Sequence, residues 1–352
     1  MYVLAESYLH NLDPNAIRFT DSFGIKWYGL SYLSGFIVAW LVMRWMSSTK
    51  RILLSTAQVG DFITYSIVGV LLGGRLGYGA FYEPALFTDF SSEFPFWGIL
   101  AIHRGGMASH GGMIGCIIAM LIFAHRARVP WLHLLDITAF IAPPGLFFGR
   151  LANFVNGELW GVPLPDRHQA NPPWWSIKYP EEVHALPVEQ IQGFQGLLSR
   201  PDALDLHQQI IVECQAGNQS LIESITPLLP ARYPSQLFQA TSDGPILLGL
   251  LILVWLVARK PGVVAGWFLI GYGVLREVTE QFRERHVGAL EVGELRTAMV
   301  LSIALILAGL VLVIWSSTRK VDRIGGLLRP SGIDDENGAS HGEERPVEVG
   351  SK

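Results

Sequence analysis

The side chains best suited to chemistry are ionisable groups set inside long apolar runs: Arg75, Arg150, Arg276 and Glu280, with His110 in a glycine-rich stretch. Such a group at the centre of a bilayer costs roughly 2.5 to 3.5 kcal/mol on insertion scales, so each marks a candidate functional position. Several guanidinium groups at one level in a membrane repel one another unless an anion joins them. A phospholipid phosphate fits that need, because arginine stays charged and grips phosphate with a planar, bidentate fork.

Spacing groups these residues further. Arg75, Tyr78 and Tyr82 share one helix face, as do Arg150 and Asn153, and a third face carries Tyr272, Arg276, Glu280 and Arg283. Counting helix rise from the basic flanks puts Tyr28, Arg75, His110, Arg150 and Arg276 about 20 to 24 Å from the inner edge of a core about 30 Å thick. Plainer readings stand beside these. Arg75 and Glu280 can form a structural pair, and Arg283, near a helix end, can snorkel to the interface. Tyr28 beside Trp27 fits an interfacial aromatic belt, and Tyr272 fits helix packing. The glycines at 73, 74, 77, 105, 106, 111, 112 and 115 let either a helix or a headgroup approach the backbone.

The elements that must position these groups are membrane helices. Of 352 residues, 50% are hydrophobic and 16% charged, and seven apolar blocks span 27–46, 60–80, 106–124, 133–152, 236–258, 263–281 and 297–316. Arg44, Lys50 and Arg51 follow the first block, Arg126 and Arg128 the third, Arg259 and Lys260 the fifth, and Arg319, Lys320 and Arg323 the seventh. Basic residues collect on the cytoplasmic side. The expected fold is therefore all-α and polytopic, with about seven transmembrane helices, an external N-terminus and a cytoplasmic C-terminus. Residues 1–26 form an external segment with no cleavable signal peptide, 27–160 the first four helices, and 161–235 a small external head. Residues 236–316 form the last three helices, and 317–352 a disordered cytoplasmic tail rich in Gly, Ser, Asp and Glu.

A net charge of −4, with basic residues dispersed among inner loops, gives no footprint for nucleic acid. No Walker-type loop, metal-ligand spacing or internal repeat is visible, so no cofactor is expected. Cys116 reads as a packing residue, and its pairing with Cys214 is not expected.

The stretch Gly149-Arg150-Leu151-Ala152-Asn153-Phe154-Val155-Asn156-Gly157-Glu158-Leu159-Trp160-Gly161 resembles the signature of the prolipoprotein diacylglyceryl transferase family. Five further stretches in the same order are similar to that family. They are Trp27-Tyr28-Gly29-Leu30, Gly73 to Tyr78, Gly105 to Gly112, Pro234-Ser235-Gln236-Leu237, and Gly271-Tyr272-Gly273 through Arg276, Glu280, Phe282 and Arg283. The resemblance runs from about residue 20 to residue 316. Departures are Lys26 and Tyr233 where the family has His, and His103-Arg104 where Trp and an acid are usual. Phe238 and Gln239 stand for Tyr and Glu, and Arg285 for Pro.

The resemblance implies a multi-pass enzyme of the bacterial inner (cytoplasmic) membrane, with its site in the outer half of the bilayer. It would move the diacylglyceryl group of phosphatidylglycerol to the lipobox cysteine in a prolipoprotein signal peptide, forming a thioether and releasing glycerol phosphate. His110 is then the expected base, with Arg150 and Arg276, and secondarily Arg75, on the phosphate. Tyr28, Asn153, Asn156 and Tyr272 are expected at the headgroup, and Glu158 and Glu280 as orienters of the arginines. A transporter of an anionic or phospholipid substrate is the alternative, although it would favour inverted repeats that are not visible. A hydrolase using Ser109 beside His110 lacks a nucleophile elbow.

Overall fold

Helix α1 (Trp27–Ser48) opens the bundle, followed by α2 (Thr56–Phe81), α3 (Ser109–Ala127) and α4 (Trp131–Val155). The computed structural model describes residues 7–19, 24–92, 94–102, 105–199, 205–284, 291–292 and 295–328. The short helices α5 (Val188–Ile191), α6 (Leu206–Gln215) and α7 (Gln219–Ile225) belong to the head. Then α8 (Ser235–Thr241), a π turn at Ser242–Ile246 and α9 (Leu247–Trp255) form one rod, before α10 (Val263–Glu280) and α11 (Thr297–Thr318).

Among the described residues, six helical stretches are long and apolar enough to cross a membrane. These are α1 to α4, the α8–α9 rod and α11, so the chain is an all-α polytopic membrane protein. The remaining expected span is α10, an 18-residue helix whose Arg276, Glu277 and Glu280 lower its hydropathy.

Local sequence explains several boundaries. A capping box starts α2, with Gln58 N donating to Ser55 Oγ at 3.3 Å and Ser55 N to Gln58 Oε1 at 2.9 Å. Helix α3 begins later than the apolar block that contains it because Gly105 and Gly106 have φ of +85° and +79°, outside helical space. The start of α10 is capped from another helix: Gly262 N and Ala265 N donate to the Asp136 carboxylate of α4 at 2.7 and 2.8 Å.

Helices α2 and α3 pack backbone to backbone. A methyl group on Gly73 would run into the Gly111 carbonyl, and one on Gly115 into the Gly69 carbonyl. Of the two roles open to these glycines, the seam takes helix packing, which in lipid depends on van der Waals contact between small residues. The main apolar core lies at one end of the bundle, where α1 and α9 end and α2 and α4 begin. Met43, Met46, Phe62, Ile137, Phe140, Leu251 and Trp255 fill it. The polar side chains collect toward the opposite end of the same helices.

At that end the head has its own small core of Leu9, Val183, Ile191, Ile210, Ile211, Cys214, Leu221, Ile225 and Leu229. A parallel pairing of Tyr8–Leu9 with Ile177–Lys178 ties the N-terminal segment to it. Both cysteines are free, and burial pushes the Cys214 thiol up to about 12, which makes it inert as a nucleophile.

Residues 321–328, part of the segment expected as tail, instead return along the bundle. Ile324 and Arg259 exchange backbone hydrogen bonds at 2.8 and 3.2 Å, and Leu327 N donates to Trp255 O at 2.9 Å. The apolar Ile324 and Leu327 give this stretch something to bury, which the composition of the whole tail obscures. Residues 329–352 lie outside the described residues.

Candidate active site

Tyr28, in the first turn of α1, donates through its hydroxyl to Asn153 Oδ1 of α4 at 2.8 Å. One turn earlier on α4, Arg150 donates from Nε to Asp243 Oδ2 at 3.1 Å. Asp243 is 1% exposed and sits in the π turn ahead of Pro245. Nε is the only Arg150 donor engaged among the described residues, so both η nitrogens retain their hydrogen-bonding capacity. The carboxylate therefore fixes the guanidinium without using the edge that would grip a phosphate.

Arg276 of α10 and Arg283, three residues past its end, bring two more guanidinium groups to the same cluster. Glu280 Oε2 lies 3.7 Å from Arg276 Nη2 and 3.8 Å from Arg283 Nη1, beyond hydrogen-bond length. Asp243 feels the charges of both Arg150 and Arg276, and Arg283 feels those of Arg276 and Arg150. Three guanidinium groups thus share Asp243 and Glu280, with loose contacts at Glu280 that an incoming anion can replace. Tyr272 stacks on Phe268 at 5.8 Å and packs on the apolar core, so its main contact is structural.

Arg75 is built differently. It is 5% exposed and donates to four backbone carbonyls: Nε to Ile99 O at 2.8 Å, Nη2 to Gly98 O at 2.7 Å, and Nη1 to Gly105 O and Gly106 O at 2.6 and 2.9 Å. Four of its five donors are spent on the loop leading to α3. This geometry is that of a clamp on the loop, and no ion pair joins Arg75 to Glu280 among the described residues. His110 follows that loop in the first turn of α3 and is exposed. No hydrogen bond or ion pair joins it to Arg150 or Arg276 among the described residues. Nothing is described of the Ser109 side chain, and His103, Arg104 and Arg285 also lie outside the described residues.

The rest of the long signature motif is mainly architectural. Asn156 Nδ2 donates to Glu158 Oε1 at 3.4 Å, and Glu158 makes no ion pair with an arginine among the described residues, unlike Glu280. Its backbone carbonyl accepts from Gln236 Nε2 at 2.6 Å, while Ser235 Oγ donates to Leu159 O at 2.9 Å. These bonds dock the Pro-Ser-Gln turn onto the motif. Arg232 completes the brace by donating to Gly161 O at 2.8 Å and pairing with Glu182 at 2.5 Å and Glu284 at 2.9 Å. Gly157, with φ of +63°, lets the chain pass close to His10 and Glu181. Burial raises the Glu181 carboxyl to about 7, and the neighbouring Glu182 charge adds to the rise against the lowering effect of its own backbone.

Two of the departures occur together. Tyr233 and Phe238 both pack on Phe282, with ring centroids 5.3 Å away in each case, and Tyr233 also stacks on Trp175 at 5.9 Å. An aromatic cluster occupies the place where the family pattern carries an imidazole, which explains why the paired changes are compatible with each other.

The structure therefore gathers Tyr28, Asn153, Arg150, Arg276 and Glu280, and sets Arg75 and His110 on the separate α2–α3 pair. Asp243 and Arg232 escape the sequence reading. Asp243 carried a usable signal, an acid within the 236–258 block subject to the same burial cost as the arginines. Arg232 carried none, since it lies in a polar segment.

Comparison with known proteins shows which family the chain belongs to. The family model described as prolipoprotein diacylglyceryl transferase matches residues 14–315. The chain is 41% identical over 336 residues to the phosphatidylglycerol--prolipoprotein diacylglyceryl transferase of Bdellovibrio bacteriovorus, covering 88% of this chain and 94% of that protein. The proteins of the same name from Rhodospirillum rubrum and Bradyrhizobium diazoefficiens are 36% and 34% identical, over 86% of this chain and 92% and 90% of their own lengths. The match spans the bundle, the head and every arginine of the site, and the chain belongs to the prolipoprotein diacylglyceryl transferase family.

Proposed function

We propose that this protein transfers the diacylglyceryl group of phosphatidylglycerol to the thiol of the lipobox cysteine in a prolipoprotein signal peptide. We place it in the bacterial inner membrane, with the N-terminus and head outside, the C-terminus in the cytoplasm and the site in the outer half of the bilayer. The observation that carries this reading is Arg150, oriented by a buried carboxylate through Nε and open at both η nitrogens, close to the loosely paired Arg276. The basic flanks support the orientation.

A thiol of pKa about 8.5 is little ionised at neutral pH, whereas the thiolate is the nucleophile. His110 takes the thiol proton. The sulfur attacks the glyceryl carbon, the new S–C bond forms, and the bond from that carbon to the phosphate oxygen breaks. The electron pair leaves on glycerol phosphate. Arg150 and Arg276 stabilise that charge where little water competes. Tyr28 and Asn153, already joined by a hydrogen bond, face the headgroup hydroxyls, with Asn156 and Tyr272 at the margin. Glu280 holds Arg276 and Arg283 until the phosphate replaces it. Arg75 acts indirectly, by fixing the loop that presents His110. Because His110 is on the α2–α3 pair and the arginines are on α4 and α10, the substrates complete the site by lying between them.

The test is to mix purified protein with phosphatidylglycerol and a synthetic lipobox peptide and look by mass spectrometry for a diacylglyceryl adduct on cysteine. An adduct is expected from the unaltered protein. It should be lost in Arg150→Ala, and in His110→Gln with lipid binding retained. Near-normal turnover in His110→Gln removes the base from the mechanism, and no adduct from folded, lipid-bound protein removes the reaction.

A further inference from the structure

The head contains a group of side chains that acyl-glyceryl transfer does not use. His184 lies in the turn Pro180–Ala185, and Asp205 and His207 lie at the start of α6. Each brings one nitrogen or oxygen to within 4.8 Å of the other two. We propose that His184, Asp205 and His207 bind a divalent transition-metal ion, with zinc the best match to their chemistry.

Two imidazoles and one carboxylate suit zinc better than the hard cations, which favour all-oxygen sites. The 3.0 Å between Asp205 Oδ2 and His207 Nδ1 is near the edge of a tetrahedral site, about 3.4 Å for metal–ligand bonds of about 2.1 Å. The imidazoles of His184 and His207 lie side by side, 5.1 Å apart and 23° from parallel. His207 is only 15% exposed at its side chain. On the other ring, the Gln208 amide lies 3.3 Å from His184 Nε2 and helps to orient it.

The supports are rigid. Val183, next to His184, and Ile210 and Ile211, one turn past His207, are buried in the head core. Three protein ligands leave a fourth position for water. The ion would fasten α6 to the turn carrying Glu182, which pairs with Arg232 and so braces the signature motif. Its role would be a clip on the head, outside the transfer chemistry. The residues fit no sequence motif because they come together only when α6 folds against that turn.

Tag-free, full-length protein in detergent micelles, stripped of metal with a chelator, should be titrated with zinc chloride against a chromogenic zinc indicator. The unaltered protein should take up one equivalent more than the His184→Gln/His207→Gln double variant. Zinc should also raise the unfolding temperature of the unaltered protein and not that of the double variant. Asp205→Asn should weaken uptake by at least tenfold. Equal uptake by the unaltered protein and the double variant, or no uptake by either, overturns the proposal. X-ray absorption of the zinc complex gives a second reading that needs no variant. Nitrogen and oxygen neighbours with imidazole scattering are expected, and sulfur or an absence of imidazole overturns the assignment.

Discussion

Arg75 and Arg150 are the same residue type near the same end of the bundle, yet they are built for opposite tasks. Arg75 has four carbonyls on it, all from one loop, and is closed to any ligand beyond its last N–H. Arg150 has one carboxylate, on its Nε, and keeps its bidentate edge. A buried arginine in a membrane helix is therefore not in itself a substrate site. What separates the two is how many of the five donors the fold has already used, because each donor bound to backbone is unavailable to phosphate and costly to release.

The sharpest way to break this contrast is to remove the open arginine. Arg150→Ala should lower thioether formation by about a hundred- to a thousandfold, the usual loss for one preorganised donor, over and above the stability lost by leaving buried Asp243 unpaired. Arg150→Lys should recover only part of it, since a point charge does not reproduce the fork. Full activity in the lysine variant would refute bidentate phosphate binding.

The closed arginine should respond in the opposite currency. Arg75→Gln leaves buried carbonyls without donors, at about 1–3 kcal/mol for each group left unsatisfied, so stability should fall by at least about 3 kcal/mol. Thermal unfolding in micelles reads this directly. If Arg75→Gln unfolds normally and instead loses lipid affinity, Arg75 is a ligand and the comparison fails.

Asp243→Asn tests what orients the open arginine. The amide can still accept from Nε but without charge assistance, so kcat should fall by about tenfold while the protein stays folded and the KM for phosphatidylglycerol changes less. Unchanged kcat would reduce Asp243 to a packing residue.

The smallest effect belongs to the head. The Glu181 carboxyl is raised to about 7 by burial and has an oxygen with no hydrogen-bond partner. Its neutral form is the one the fold accepts. The contribution of its retained proton is full below the unfolded value of about 4.3 and is lost as pH rises through about 7. Glu181→Gln should thus raise the unfolding temperature at pH 8 by a few degrees and leave it nearly unchanged at pH 4. An equal shift at both pH values would mean that the charge is not the cause.

Much of the fold and part of the site are legible in the sequence. Block length and hydropathy locate the membrane helices because a helix must satisfy its own backbone in lipid, whatever its neighbours are. The seam glycines and the arginines stand out for the same reason, since both are unusual where lipid is the solvent. Residues 321–328 were hidden by averaging, as the apolar Ile324 and Leu327 sit at the head of a polar tail.

The sequence by itself determined the all-α polytopic class, the order of the apolar helices, the family and the embedded arginines, all of which follow from local composition and linear motif. Tertiary structure alone decided which embedded charges remain open. The partners of Arg75 lie about one loop away, but those of Arg150 and Arg232 come from distant segments, and no spacing rule reaches across 93 residues to Asp243. It also brought His184, Asp205 and His207 together. Hydrogen-bond saturation is a property of three-dimensional neighbours, and it is saturation that divides the structural arginine from the one available to substrate.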